Sequence, residues 1–329
     1  MSVLVTGGAG YIGSHTAHAL DERGETVVVL DNLVTGNKSF VPASAVFVHG
    51  DVGDVALVRR ILKEYAVDAV MHFAGSIVVP ESIQEPLKYY TNNFEVSRAL
   101  IKECVDASVG SFIFSSTAAV YGLPSNNPIG EDAPTRPISP YGRSKLMVEW
   151  LLEDCARAHQ LRYIALRYFN VAGVDPKGRS GQPRSEVGHL IKRAAQVALG
   201  SLDHLEIYGT DYPTRDGTAV RDYIHISDLV EAHLLALDNL RRGSHSSTYN
   251  CGYGVGATVL EVVSAFQRVT GRPLPVRLTG ARPGDAWEVV ADSSRIRSAY
   301  GWQPRFNNLD VIVRSALQWE RRQNGTGGL

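Results

Sequence analysis

The chain has 329 residues, 44% of them hydrophobic and 20% charged, a composition that allows a large core and argues against wholesale disorder. At about 150 residues per domain, that length predicts two domains or one large α/β unit with a cap. Thirty-three Lys and Arg against 34 Asp and Glu leave a net charge of −1, which argues against a basic nucleic-acid binder, and three scattered cysteines (Cys104, Cys155, Cys251) without a CxxC pair argue against a disulfide framework or cysteine zinc site and fit a reducing cytoplasm.

From the start of the chain, residues 2–6 (SVLVT) read as a buried strand with no basic segment before them, so no signal peptide is expected. No later apolar run approaches the roughly 18 residues of a membrane helix. Further strands are predicted at 26–30, 46–48, 69–73, 111–116 and 162–167, alternating with helices at 11–23, 55–65, 86–107 and 141–159. The strands are apolar runs without clean alternation, as expected for a sheet covered on both faces. The alternation of strand and helix predicts a doubly wound parallel Rossmann sheet. After residue 172 the texture changes. Residues 173–184 read as an exposed Gly- and Pro-rich loop. Helices at 187–199, 259–270 and 309–321 and a strand at 205–208 then suggest a smaller α+β substrate-binding region. The division expected is 1–171 for the dinucleotide and 172–329 for the substrate, with about 218–250 returning to the first part. The tail 324–329 is expected to be mobile.

The first strand-to-helix turn is Thr6-Gly7-Gly8-Ala9-Gly10-Tyr11-Ile12-Gly13. Its glycines satisfy both GxxGxxG and GxGxxG. They permit a tight turn, close approach of backbone to a pyrophosphate, and packing of helix on sheet. The helix N-terminus then offers N–H groups to the anion. Asp31 closes the second strand, where a carboxylate accepts hydrogen bonds from both ribose hydroxyls and repels a 2′-phosphate. NAD is therefore favoured over NADP. Asp51-Val52 and Phe73-Ala74-Gly75 close the third and fourth strands on the same ligand-facing edge.

The chemistry is expected at Tyr141 and Lys145, four residues apart and so on one face of a helix. A phenol is a poor base at neutral pH, but a nearby ammonium favours the phenolate, so the pair can shuttle a proton to and from an alcohol. Thr117, after Ser115 and Ser116 at the end of the fifth strand, can orient a substrate hydroxyl.

Together these residues resemble the extended short-chain dehydrogenase/reductase superfamily over essentially the whole chain. Finer markers resemble its UDP-glucose 4-epimerase family: residues 6–14 (TGGAGYIGS), 31–33 (DNL), 72–75 (HFAG), 114–122 (FSSTAAVYG), 139–149 (SPYGRSKLMVE), 166–170 (LRYFN) and 207–228 (IYGTDYPTRDGTAVRDYIHISD). The resemblance implies an NAD-dependent isomerase. It would take a hydride from C4 of a UDP-hexose, let the 4-keto sugar turn, and return the hydride to the other face, interconverting UDP-glucose and UDP-galactose. It implies Tyr141, Lys145 and Thr117 as catalytic residues. For NAD it implies Gly7, Gly10, Tyr11, Ile12, Gly13, Asp31, Asn32, Asp51, Val52, Phe73, Ala74, Gly75, Asn92, Ser115, Tyr141, Lys145 and Tyr168. For the UDP-sugar it implies Asn170, His189, Leu190, Tyr208, Arg221, Arg282, Asp285 and Val289, besides Thr117 and Tyr141. No metal is implied. A homodimer through helices near 86–107 and 141–159 is.

Three departures from the family pattern matter. Ile77 stands where many members carry a lysine near the cofactor phosphates, so weaker cofactor retention is expected. His189 replaces an asparagine. Val289 stands where a bulky tyrosine closes the sugar pocket of glucose-restricted members, so UDP-N-acetylglucosamine is expected to fit as well. A nucleotide-sugar 4,6-dehydratase would need an Asp-Glu pair after Thr117, and Ala118-Ala119 stand there instead. A 4-epimerase for a UDP-pentose or uronate, and a non-catalytic NAD sensor, stand as alternatives.

Overall fold

The computed structural model describes residues 1–183, 189–282 and 284–324. The strands of the first half are β1 (Ser2–Thr6), β2 (Thr26–Asp31), β3 (Val46–His49), β4 (Ala69–His72), β5 (Ser111–Thr117) and β6 (Arg162–Tyr168). There follow β7 (Asn170–Ala172), β8 (Leu205–Tyr208), β9 (Val220–His225), β10 (Ser247–Cys251), β11 (Gly256–Thr258), β12 (Val276–Thr279) and β13 (Glu288–Val289). Seven of these described strands form one sheet in the order β10-β6-β5-β4-β1-β2-β3, with every neighbouring pair parallel. The chain direction of building reverses between β1 and β4, which opens a crevice at the carboxyl ends of those strands.

The helices of the first half are α1 (Tyr11–Glu22), α2 (Val55–Glu64), α3 (Val79–Gln84), α4 (Pro86–Tyr89), α5 (Val96–Asp106) and α6 (Pro140–Ala158). Those of the second half are α7 (Leu190–Ala198), α8 (Ile226–Arg241), α9 (Val259–Thr270), α10 (Ser294–Tyr300) and α11 (Leu309–Gln323). Successive strand residues point to opposite faces, and both faces are apolar. Val3, Val5, Val27, Val29, Ala69, Met71 and Ile113 join one core with α1 and α8. Leu4, Val28, Leu30, Val70, Phe112 and Phe114 join a second core with α2, α5 and α6. This explains the lack of alternation in the strand sequences. It also sets the register, because a slip of one residue would exchange the two sets.

The predicted strands and helices of the first half are present, within a residue or two at most ends. One exception is instructive. The helix predicted over 86–107 is interrupted by a π-helical turn, Tyr90–Glu95. That turn carries Asn93, 1% exposed, whose side chain bonds to Ser76 and to Ser144 on α6. The helix at 187–199 begins at Leu190, and residues 187–188 lie outside the described residues, as does most of the tail expected to be mobile.

In the second half, α8 packs on α1, and β10 extends the main sheet beside β6. The remaining strands form small sheets. β9 pairs with β7, β11 and β13, and β8 with β12. Helix α9 starts with a capping box between Thr258 and Glu261 and stops at Gly271, φ +67°. Among the described residues no helix is long and apolar enough to cross a membrane.

Candidate active site

The glycine turn between β1 and α1 is set by backbone contacts that leave no room for side chains. Gly7 has φ +67°, and a Cβ there would lie 2.7 Å from the Ala74 amide nitrogen. A Cβ on Gly13 would lie 2.3 Å from the Gly7 carbonyl oxygen. Gly10 caps α1 without any side-chain bond, and the first turn of that helix holds no acidic residue. The positive end of the helix therefore faces the crevice undiminished by a capping carboxylate. Asp31, 7% exposed, is fixed at its edge: the Ala9 amide donates to one carboxylate oxygen at 2.9 Å and the Leu33 amide to the other at 2.8 Å. Each oxygen keeps a lone pair for a further donor. Asn32 donates to Asp51 at 2.8 Å, tying the ends of β2 and β3 together, and Val52 beside them is buried.

Across the crevice, three successive residues at the end of β5 are laced to α6. Lys145 Nζ donates to the Ser115 carbonyl at 2.9 Å, the Ser116 hydroxyl donates to Glu149, and Thr117, whose hydroxyl accepts from the Ala119 amide at 3.1 Å, comes beside Tyr141. The start of α6 is fixed by Ser139, whose hydroxyl accepts from the Gly142 amide, and by Pro140 in the first turn. Lys145 is 3% exposed and 4.9 Å from the Phe114 ring centroid. Burial pulls its ammonium down to about 8, against the opposing effect of Glu149.

The geometry corrects one expectation. The Lys145 ammonium is engaged by the Ser115 carbonyl, and burial pushes the Tyr141 phenol above its ordinary value, only partly offset by the bond from Thr117. The lysine does not by itself favour the phenolate here. Tyr89 packs edge-on against Tyr141, with ring centroids 6.4 Å apart. Its hydroxyl donates to the Val78 carbonyl and anchors the 76–81 segment.

Asn92 is exposed and donates to the Ser76 hydroxyl at 3.1 Å. Its buried neighbour Asn93, which sequence reasoning passed over, makes the stronger set of bonds. It sits within reach of Gly75, since a Cβ there would lie 2.9 Å from Asn93 Oδ1 and 3.8 Å from Lys145 Nζ. Behind it run hydrogen bonds Thr6–His72–Ser97, from the glycine turn to the π-helical turn. Phe73 lies 5.0 Å from the His233 ring, and His233 bonds to the Tyr168 hydroxyl, which also meets Ser115.

A second cluster lies among β8, β9 and the 282–289 segment. Arg282 donates to Asp285 at 3.0 Å and stacks over the Tyr208 ring at 4.4 Å. Arg221 comes within 3.9 Å of the same carboxylate. Val289 is the register partner of Arg221 and packs on a small core of Val120, Tyr121, Leu146 and Phe169. Asn170 opens β7, beside β9. Two arginines and an aromatic ring in one place suit a nucleoside diphosphate. His189 and Leu190 stand at the start of α7, which packs against β8, and His189 is exposed and makes no capping bond. Among the described residues there is no cluster of His, Cys, Asp and Glu suited to a metal. A recess of about 550 Å³ near Tyr253 and Trp302 contains none of the candidate residues.

A parallel sheet in 3-2-1-4-5-6 order, a glycine turn with an acidic strand end, and a Thr-Tyr-Lys set across the crevice define a dinucleotide-binding protein of the short-chain dehydrogenase/reductase type. The sequence pattern of the NAD dependent epimerase/dehydratase family matches residues 3–252. A UDP-glucose 4-epimerase of Azospirillum brasilense is 55% identical over 319 residues, covering 97% of this chain and 92% of that protein. The UDP-glucose 4-epimerase of Brucella ovis, solved in complex with NAD, superimposes with a TM-score of 0.93 at 45% identity, covering 96% of this chain and 97% of that one. The UDP-Glc/GlcNAc 4-epimerase of Campylobacter jejuni superimposes with a TM-score of 0.86 at 43% identity, covering 98% and 99%. The chain belongs to the NAD dependent epimerase/dehydratase family and, within it, to the UDP-glucose 4-epimerases.

Proposed function

We propose that this chain interconverts UDP-glucose and UDP-galactose by inverting C4 of the sugar with a retained NAD. The observation that carries this is the meeting of the end of β5, with Ser115 and Thr117, and the start of α6, with Tyr141 and Lys145, at the crevice into which Asp31 and the α1 N-terminus also point. The residues present fit a dinucleotide: a glycine turn without room for side chains, an uncapped helix N-terminus, and a carboxylate with free lone pairs. Gly7, Gly10, Tyr11, Ile12 and Gly13 would hold the pyrophosphate. Asp31 and Asn32 would hold the adenosine ribose, and Asp51 and Val52 would flank the adenine. Phe73, Ala74, Gly75, Asn92, Ser115, Tyr141, Lys145 and Tyr168 would line the nicotinamide half. NAD, when bound, supplies the acceptor and donor of hydride and a positive charge near Tyr141.

The chain's own residues handle the proton and the geometry. Tyr141 takes the proton of the sugar 4-hydroxyl, holds it, and gives it back after the sugar has turned. Thr117 orients that hydroxyl. Lys145 is mostly charged at pH 7 and held by the Ser115 carbonyl, and only together with the positive charge of bound NAD does its ammonium favour the phenolate that Tyr141 must become. The sugar loses a hydride and a proton and regains both, so nothing is consumed. Arg221, Arg282, Tyr208, Asn170, Leu190 and His189 anchor the UDP, leaving the sugar free to turn, and Asp285 braces the two arginines. The polar and rotational demands divide between residues 1–171 and 172–329, with the 218–250 segment shared.

Val289 favours a wider reading. It is small and lies beside Arg221, so a C2 N-acetyl group has room, and the Campylobacter jejuni relative is a UDP-Glc/GlcNAc 4-epimerase. A homodimer through α4–α6 is supported by Leu87 and Trp150, large apolar side chains exposed by 80% and 54% on those helices. Light scattering tests it. Free thiols at all three cysteines are compatible with the cytoplasm. The function itself is tested by incubating purified protein with UDP-galactose, without added NAD, and separating the products. UDP-glucose without accumulating NADH is expected. No UDP-glucose, even with NAD added, would overturn the proposal.

A further inference from the structure

The mechanism leaves one buried charged cluster unused. Glu149 stands on α6 one turn beyond Lys145 and two beyond Tyr141, and is 5% exposed. One of its oxygens accepts from Arg167 Nη2 at 2.6 Å, the other from Arg167 Nε at 3.0 Å and from the Ser116 hydroxyl. Arg167 is 6% exposed and donates onward to the Tyr121 hydroxyl at 2.9 Å, which donates to Asn250 at 2.7 Å. The pair is therefore saturated with hydrogen bonds, the condition under which a buried ion pair is tolerated at all. Its stability value is modest against an apolar replacement, so stability alone is a weak reason for it.

Its position gives a better one. Ser116 and Arg167 are register partners on β5 and β6, so Glu149 grips two adjacent strands from one helix. Ser116 lies between the residue whose carbonyl holds Lys145 and the residue whose hydroxyl meets Tyr141. The strand end and the helix are thus tied by hydrogen bonds at Ser115 and Ser116 and meet again at Thr117. The outer two carry the reacting groups, and the middle one carries a carboxylate.

We propose that Glu149 is a positioning residue for proton transfer: it fixes the end of β5 against α6, setting the Thr117–Tyr141 contact, and supplies the negative charge nearest the Lys145 ammonium on that helix. This rests on the reading of Tyr141 and Lys145 as the proton-transfer pair. The titratable groups facing Lys145 are Glu149 on its own helix and His72 on β4, with the Ser115 carbonyl and the Phe114 ring of β5 beside it. Those facing Glu149 are Arg167 and Tyr163 on β6, Ser116 on β5 and Lys145 itself.

The test uses the NAD-loaded protein and three variants. Ser116→Ala removes the middle contact and leaves the ion pair. Its kcat with UDP-galactose is expected to fall roughly tenfold, with KM and bound NAD unchanged, because a reacting pair is sensitive to misplacement well below 1 Å. Glu149→Gln keeps shape and an acceptor for Ser116 but removes the charge. Its alkaline limb of kcat against pH is expected to move to lower pH, while that of Ser116→Ala stays in place. A wild-type kcat in Ser116→Ala, or an unmoved limb in Glu149→Gln, overturns the proposal. If Glu149→Gln does not fold, Ser116→Ala decides alone. Tyr141→Phe separates the two levels: wild-type turnover in that variant overturns the proton-transfer reading itself, whereas its collapse beside an unimpaired Ser116→Ala overturns only the role of Glu149.

Discussion

Replacing Gly13 by alanine sets two effects of opposite sign against each other. Gly13 lies in the first turn of α1 at an ordinary helical φ, and alanine there is favoured by about 1 kcal/mol on helix propensity alone. The added Cβ, however, would lie 2.3 Å from the Gly7 carbonyl oxygen, 2.8 Å from Gly8 Cα and 2.9 Å from Gly7 C. All three atoms are backbone, so no rotamer change relieves the contact, and the turn must move by about 1 Å to reach ordinary separation. Overpacking of this kind costs about 1–3 kcal/mol, more than the propensity gain and less than the stability of a typical domain. The variant should therefore fold, with a melting temperature a few degrees lower, and fail at the displaced turn. Bound nucleotide is measured by acid release and absorbance after gel filtration, and the melting temperature is taken with and without added NAD. The expected result is loss of co-purified NAD and of the stabilisation by added NAD. A Gly13→Ala protein that melts higher than wild type and keeps its NAD would refute the steric reasoning.

Lys145→Met should change how stability depends on pH. Burial lowers the Lys145 pKa from 10.5 to about 8, a penalty of roughly 3 kcal/mol on the charged folded state. Between those values the unfolded chain binds more protons than the folded one, so the penalty is full below about pH 8 and fades as pH rises toward 10.5. The wild type should gain on the variant in melting temperature across that window, and a constant difference would contradict the assignment. Arg221→Met should raise KM for UDP-galactose by about tenfold to a hundredfold, the worth of a charge-assisted contact, while bound NAD is unchanged; steady-state kinetics and nucleotide release check both. Val289→Tyr should cut turnover of UDP-N-acetylglucosamine at least about tenfold relative to UDP-galactose, because the extra ring competes with the N-acetyl group for space. Equal loss on both sugars would show that residue 289 does not face C2.

Much of the fold was legible because its signals are local. Strands β1 to β6 appear as short β-branched runs, and the glycines of the first turn announce the close backbone contacts with Ala74 and Gly7. Thr117, Tyr141 and Lys145 were legible by spacing and order. What was missed depends on partners distant in sequence. Asn93 has no periodic or motif signal, and its meaning comes from Ser76 and Ser144, 17 and 51 residues away. Glu149 and Arg167 look like surface charges in any window, yet they find each other across α6 and β6 in the core. A glutamate four residues beyond the lysine of a YxxxK helix was the available hint, since that spacing puts it on the same face. The Lys145–Tyr141 expectation is incomplete for a related reason. Spacing gives proximity, but the Ser115 carbonyl competes for the ammonium and burial acts on the phenol. Strand β10 joins the main sheet and α8 packs on α1 from the second half, largely within the 218–250 stretch that was expected to return to the first part.

The central claim is that the hydrogen on C4 leaves and returns within one closed site. Conversion of UDP-galactose carrying deuterium at C4, in ordinary water, tests it most directly. The account predicts UDP-glucose with the deuterium still on C4, and no label in the solvent. UDP-glucose whose C4 has exchanged with water would contradict it, because the hydrogen would then have left as a proton.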